Sequence, residues 1–214
     1  MKYTVEDLED TGKFRLILKV SYNDLLEFVF EYLKKSSLLT VIYWSICLVF
    51  LGVAVYIRIN ISGTFTISHI FLHSVLGMVI MPVLFIPLHE LLHIVPYVLS
   101  GARNIRVGME LKQYLFYVTA HRYVASPVQF IIVALTPFIL ISAALGTGVY
   151  LLPGLWKWSL SLFLFVHSTM CAGDIALLNM YYLNNGKTIY TWDDVEKKEA
   201  YYYKKLDGDE DPSF

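Results

Sequence analysis

Charge is what this sequence has least of. Only 16% of its 214 residues are Asp, Glu, Lys or Arg, against roughly 25% in an ordinary soluble domain. The deficit is local. Four apolar stretches, about residues 38–57, 68–100, 125–152 and 158–183, contain no lysine and no arginine. Cysteine is also scarce. Cys47 and Cys171 are the only two and both lie in apolar stretches, so neither a disulfide framework nor a zinc-knuckle spacing is available. The formal net charge is −1, which leaves no basic surplus to hold a nucleic acid. The first 37 residues contain no apolar run ending in a small-residue cleavage site. The first apolar stretch is therefore expected to act as an uncleaved insertion signal.

What the chain has in abundance is hydrophobicity, at 57% of residues. A helix needs roughly 20 apolar residues to cross the hydrocarbon core, and each of the four stretches is long enough. The expected fold is an all-α membrane protein with about four transmembrane helices, a small cytoplasmic β-hairpin and an N-terminal interfacial helix, with the lipid bilayer as its first partner. Three regions follow: a cytoplasmic N-terminal segment over 1–37, a four-helix domain over 38–183 and a polar tail over 184–214. Within the first, Lys13 to Val20 alternates like a short strand. Leu25, Leu26, Val29 and Leu33 then recur at helical spacing, which fits a helix on the membrane surface or one packed on the rest of the protein. The second stretch carries Pro82, Pro87 and Pro96 and is expected to be kinked or broken; Pro137 marks a kink in the third. Residues 101–124 mix Val107, Leu111, Leu115 and Val118 with polar residues and read as a hairpin loop.

Basic residues orient the chain. Of seventeen, only Arg58 and Lys157 fall in the 59–67 and 153–157 connections or at their edges; the rest lie in the N-terminal region, the 101–124 loop and the tail. By the positive-inside rule both termini and the hairpin loop are expected in the cytoplasm.

The four stretches contain just two ionisable acids, Glu90 and Asp174. A charge at bilayer depth is costly unless it is paired or bound to something. Glu90 sits in His89-Glu90-Leu91-Leu92-His93, a complete H-E-x-x-H. One helical turn separates the histidines, so both project from one face and can grip one Zn²⁺. Glu90, beside the metal, can take a proton from its water and deliver it to a leaving amine. The blander reading is a buried glutamate hydrogen-bonded to neighbouring histidines without a metal.

A catalytic zinc usually takes three protein ligands. Asp174 is the natural third. His93 lies seven residues before the end of the second stretch and Asp174 nine before the end of the fourth. At about 1.5 Å per residue these are similar depths on one side. Cys171-Ala172-Gly173 precede the aspartate and are expected to let helices approach closely. His167, two turns before Asp174, is open to four readings: fourth ligand, oxyanion stabiliser, outer partner of a ligand, or packed core histidine. His69 and His73 read as interfacial or packing residues, and His121 as solvated.

With these residues in hand, the chain resembles a family of small bacterial membrane proteins described as zincin peptidases, related in plan to site-2 intramembrane proteases. The matching features are Pro87-Leu88-His89-Glu90-Leu91-Leu92-His93, Gly101 at the start of the loop, Ala134-Leu135-Thr136-Pro137-Phe138, and Gly173-Asp174-Ile175, within roughly residues 80 to 183. The site-2 type has an Asp-Gly pattern on the later helix, where this chain has Gly173-Asp174. The resemblance implies zinc held by His89, His93 and Asp174, Glu90 as the base, and a bacterial plasma membrane. The expected function is hydrolysis of membrane-associated protein or peptide substrates at the cytoplasmic half of the bilayer. Tyr114 to Thr119 is a candidate edge for an extended substrate. Two rivals remain: a non-catalytic chaperone or immunity-type factor stabilised by the metal, and a small metal or proton transporter.

Overall fold

A computed structural model describes residues 3–110, 115–184 and 188–206. The tip of the 101–124 loop, including Lys112 and Tyr114, and the end of the tail lie outside the described residues. In chain order the elements are α1 (Val5–Leu8), β1 (Phe14–Ser21), α2 (Leu25–Lys34), α3 (Leu38–Asn60), α4 (Ile67–Val75), α5 (Met81–Leu99), β2 (Ile105–Glu110), β3 (Leu115–Ala120), α6 (Pro127–Leu151), α7 (Gly154–Met170), α8 (Ala172–Leu183), β4 (Ile189–Asp194) and β5 (Glu199–Lys205).

The long helices begin where side chains can satisfy their free N–H groups. Ser37 caps α3 and forms a reciprocal pair with Thr40; Ser126 does the same for α6 with Gln129, and Pro127 follows at the first helical position. Three helical spans are long and apolar enough to cross a membrane: Leu38–Asn60, Ile67–Leu99 and Pro127–Leu151. The pair α7 and α8, bent by 42° at Cys171, makes a fourth if counted as one span. In the most apolar window of Ile67–Leu99 only 11% is buried inside the protein, and Val83 and Leu84 are among its exposed residues. Such an apolar surface fits lipid rather than water.

The second stretch runs on as one helical span from Ile67 to Leu99, and its irregularity is a local widening rather than a break. Leu76–Ile80 forms a wider π-type turn between α4 and α5. Pro82 lies two residues beyond it, and it has no N–H for the carbonyl four residues back. Pro87 and Pro96 lie within α5.

Helix α7 is the hub. Trp158 and Leu162 pack with Ala54 and Ile57 of α3, while Phe163 and Leu164 pack with Ile141 and Leu145 of α6. Ser159, Ser161 and Ser168 are fully buried. Their hydroxyls return to helix carbonyls, as Ser161 does to Trp158 at 2.8 Å, so small polar residues bring neighbours close without orphaned groups. The closest approach is at Gly77, where a Cβ would overlap the backbone carbonyl of Ser159. Backbone on a packed helix cannot yield as a flexible side chain can. Gly77→Ala is expected to destabilise by about 1–3 kcal/mol, read as a lower Tm in detergent. Gly146→Ala, where a Cβ meets nothing within 4 Å, should leave Tm unchanged.

A β-structured cap covers one end of the helices. Strands β2 and β3 form the expected hairpin, paired from Ile105 with Ala120 to Glu110 with Leu115. The 184–214 tail, read from sequence as a separate polar segment, instead supplies β4 and β5 to a three-stranded antiparallel sheet of order β1-β5-β4. The N-terminal strand and the tail are thus one structure. The amphipathic helix α2 packs on α8: Asn179 Nδ2 donates to the carbonyls of Tyr32 and Lys35 at 2.7 and 2.9 Å. His121, expected in solvent, lies against β4, where its Nδ1 accepts from the Val195 N–H at 3.2 Å.

Asp193 joins the two sheets. It accepts from the Tyr22 hydroxyl at 3.1 Å, and its residue bridges His121. Burial lifts its carboxyl above the ordinary range, against the opposing pull of Thr119, Tyr22 and His121. An unfolded aspartate ionises near pH 4, so above that pH the folded state holds a proton the unfolded state has lost, and Asp193 costs stability as pH rises. Asp193→Asn is expected to match wild type near pH 4 and to melt at a higher temperature at pH 7. Thermal melts across that range check it.

Candidate metal centre

Helix α5 places His89 and His93 one turn apart, with ring centroids 5.2 Å apart. Both present Nε2 to one carboxylate. His89 Nε2 lies 3.3 Å from Asp174 Oδ2 and His93 Nε2 lies 3.5 Å from Asp174 Oδ1. The bend at Cys171 is what delivers Asp174. It starts a new helix, and Asp174 falls in the first turn of α8, where the helix dipole favours an anion. Both histidines are buried and the carboxylate nearly so.

These spacings are long for hydrogen bonds, which cluster at 2.7–3.2 Å. Donor atoms of His89, Glu90 and His93 also lie within 4.8 Å of one another. A tetrahedral site with bonds of about 2.0–2.1 Å has edges of about 3.3–3.4 Å. Two imidazole nitrogens and a carboxylate form a donor set suited to zinc, and the residues present fit that ion.

Orientation of His93 is set from α6. Its Nδ1 lies 2.9 Å from the carbonyl oxygen of Val133. A carbonyl can only accept, so Nδ1 carries the ring proton and Nε2 keeps its lone pair toward Asp174. Helix carbonyls normally accept from the N–H four residues on, and here that residue is Pro137, which has none. Pro137 thus does more than kink α6: it frees the carbonyl that orients a ligand. Pro137→Ala restores the competing N–H. It is expected to stabilise the helix, since proline is the poorest interior residue, yet to weaken zinc binding about 10–100-fold, the usual cost of losing an outer partner. Chelator competition and a thermal melt read the two effects separately.

His167 stands behind His89. Its Nε2 is 3.4 Å from His89 Nδ1, on the side away from Asp174. For His89 to keep a lone pair on Nε2, its Nδ1 proton must point at His167, which then acts as acceptor. His167 Nδ1 has no hydrogen-bond partner among the described residues.

Glu90 shares with His89, His93 and Asp174 a cavity of about 210 Å³. Its remaining wall includes the stretch read from sequence as a candidate substrate edge. Phe116, Tyr117 and Val118 of β3 and Leu25 and Val29 of α2 line it. Gly173, expected to serve close helix packing, also lines it, and a Cβ there would meet nothing within 4 Å. His69 and His73 are remote from the cluster: His73 Nδ1 lies 2.7 Å from the Ser159 hydroxyl, and His69 Nδ1 lies 3.0 Å from that of Thr66.

A sequence model for a family described as "putative zincin peptidase" matches residues 82–188, half of the chain. The match takes in α5, the hairpin, α6, α7 and α8. No curated protein and no solved structure matches.

Proposed function

Because the chain belongs to this family of zincin peptidases, we propose that it is an intramembrane zinc metallopeptidase, hydrolysing peptide bonds of membrane-associated proteins near the cytoplasmic side. The observation that carries the reading is the approach of the His89 and His93 Nε2 atoms to the two oxygens of Asp174, at 3.3 and 3.5 Å. These three residues would hold the zinc. When bound, zinc supplies polarisation of the scissile carbonyl and a water acidified toward neutrality.

The chain's own residues do the rest. Glu90 takes a proton from the attacking water and returns it to the departing amine as the C–N bond breaks. Val133 and His167 hold the ligand rings in place. The apolar cavity walls limit bulk water around Glu90. A substrate helix must unwind before its carbonyls are accessible, and β3, whose Phe116 to Val118 line the cavity, offers an extended backbone alongside. The cap gathers β1, β4, β5 and the hairpin at one end of the helices, and the positive-inside bias puts that end in the cytoplasm.

Metal analysis of the full chain, purified in detergent without chelators, tests the reading together with cleavage of an unstructured peptide library. About one zinc per chain and cleavage that a chelator stops and zinc restores are expected. Protein free of zinc would sink the proposal.

A further inference from the structure

Cys171 is fully buried, lies in a chain with one other cysteine, and has no part in the hydrolysis described above. Its surroundings are not those of an ordinary core cysteine. Its Sγ lies 3.7 Å from His167 Nε2, and the same nitrogen lies 3.4 Å from His89 Nδ1. Ligand atoms of Cys171, His167 and His89 all fall within 4.8 Å of one another. His167 is 1% exposed and its other nitrogen has no partner among the described residues.

The geometry points to a second metal site, behind the first, in which Cys171, His167 and His89 hold a Cu⁺ ion. Three-coordinate binding with bonds of about 2.0–2.3 Å to nitrogen and sulfur gives edges of about 3.5–3.8 Å, close to the 3.4 and 3.7 Å observed. Thiolate and imidazole both suit copper, and thiolate favours the soft Cu⁺ among others. Charge selects it too. One thiolate, two neutral imidazoles and Cu⁺ sum to zero, whereas Zn²⁺ would leave a positive charge in a site closed to water, which is costly. The thiol now donates to the His167 carbonyl at 3.3 Å. Binding exchanges that S–H for an S–Cu bond and releases one proton, with no change of oxidation state.

His89 belongs to both sites. A neutral imidazole has one ring proton, and copper on Nδ1 moves it to Nε2, the atom facing Asp174. Copper therefore competes with zinc for His89 and inhibits hydrolysis. That consequence rests on the peptidase reading; the copper site does not.

The test is anaerobic titration of the full chain in detergent with Cu⁺ as its bicinchoninate complex. Wild type should take one Cu⁺ per chain, and Cys171→Ser should bind at least about 100-fold more weakly. His93→Ala, which breaks only the zinc site, and Cys47→Ala should bind copper as wild type does. Copper affinity untouched by Cys171→Ser, or lost equally in His93→Ala, overturns the proposal. Should Cys171→Ser not fold, X-ray absorption of copper-loaded Cys47→Ala decides: one sulfur ligand supports the site and none refutes it. A wild type that binds copper but no zinc would refute the peptidase reading alone.

Discussion

Replacing Glu90 with glutamine is expected to leave about one zinc per chain and to slow hydrolysis about 10²–10⁴-fold. The two effects separate because the residue and the proposed ligands are distinct. His89 and His93 each turn Nε2 to an oxygen of Asp174, and Glu90 lines the cavity beside them. Glutamine keeps the size of the side chain and removes its ability to accept and return a proton. The loss equals about 3–5 kcal/mol of transition-state stabilisation, at 1.36 kcal/mol per decade. A non-catalytic protein that kept the metal for stability would be indifferent to this substitution, and a metal transporter would lose no cleavage because it has none. Retained zinc with retained function in Glu90→Gln would therefore favour the chaperone-like reading over the peptidase. Retained zinc with lost cleavage turns the variant into a trap that binds substrate without releasing it, and so a route to the substrate's identity.

Much of the membrane-embedded part was legible because lipid imposes a harsh filter. Helices α3, α5 and α6 announce themselves as apolar runs without lysine or arginine, and the two acids left inside had to be explained. That filter brought Glu90 and Asp174 to attention before any geometry was known. What it could not show was the cap. The pairing of β1 with β5 joins residues 14–21 to 199–205, and contacts so distant in sequence leave no local periodicity. Ile189 to Asp194 does not alternate cleanly, since the adjacent Thr191 and Trp192 are both buried along with Ile189 and Asp194, and six residues among many charges read as a solvated tail. The orienting contact on His93 was hidden for a different reason. Its partner is a backbone carbonyl, which has no residue signature. Only Pro137, four positions on, marks it, and a proline in a helix reads first as a kink. Gly173 was likewise ambiguous: a glycine before a ligand can let a helix in or leave room for a substrate, and only the open space around it separates the two.

Asp174→Ala carries the other large effect, on the metal rather than on the proton. Removing this carboxylate takes away the one anionic ligand. Two neutral imidazoles would then face a dication in a buried site, with Glu90 the one remaining acid in the cavity. Loss of an outer partner typically costs 10–100-fold in affinity, and loss of a direct charged ligand should exceed that, so zinc is expected to weaken by more than about 100-fold. Competition with a chromophoric chelator measures it, and Asp174→Asn shows how much of the loss is charge. The histidines should suffer as well: each Nε2 now faces an Asp174 oxygen, and without it the His89 ring loses that hold and keeps its contact with His167 on the other side. Wild-type affinity in Asp174→Ala would mean that the third ligand lies elsewhere. His167 would then be the place to look, because its Nε2 already lies 3.4 Å from His89, and a site built there would turn the centre away from Glu90 and remove the basis for hydrolysis.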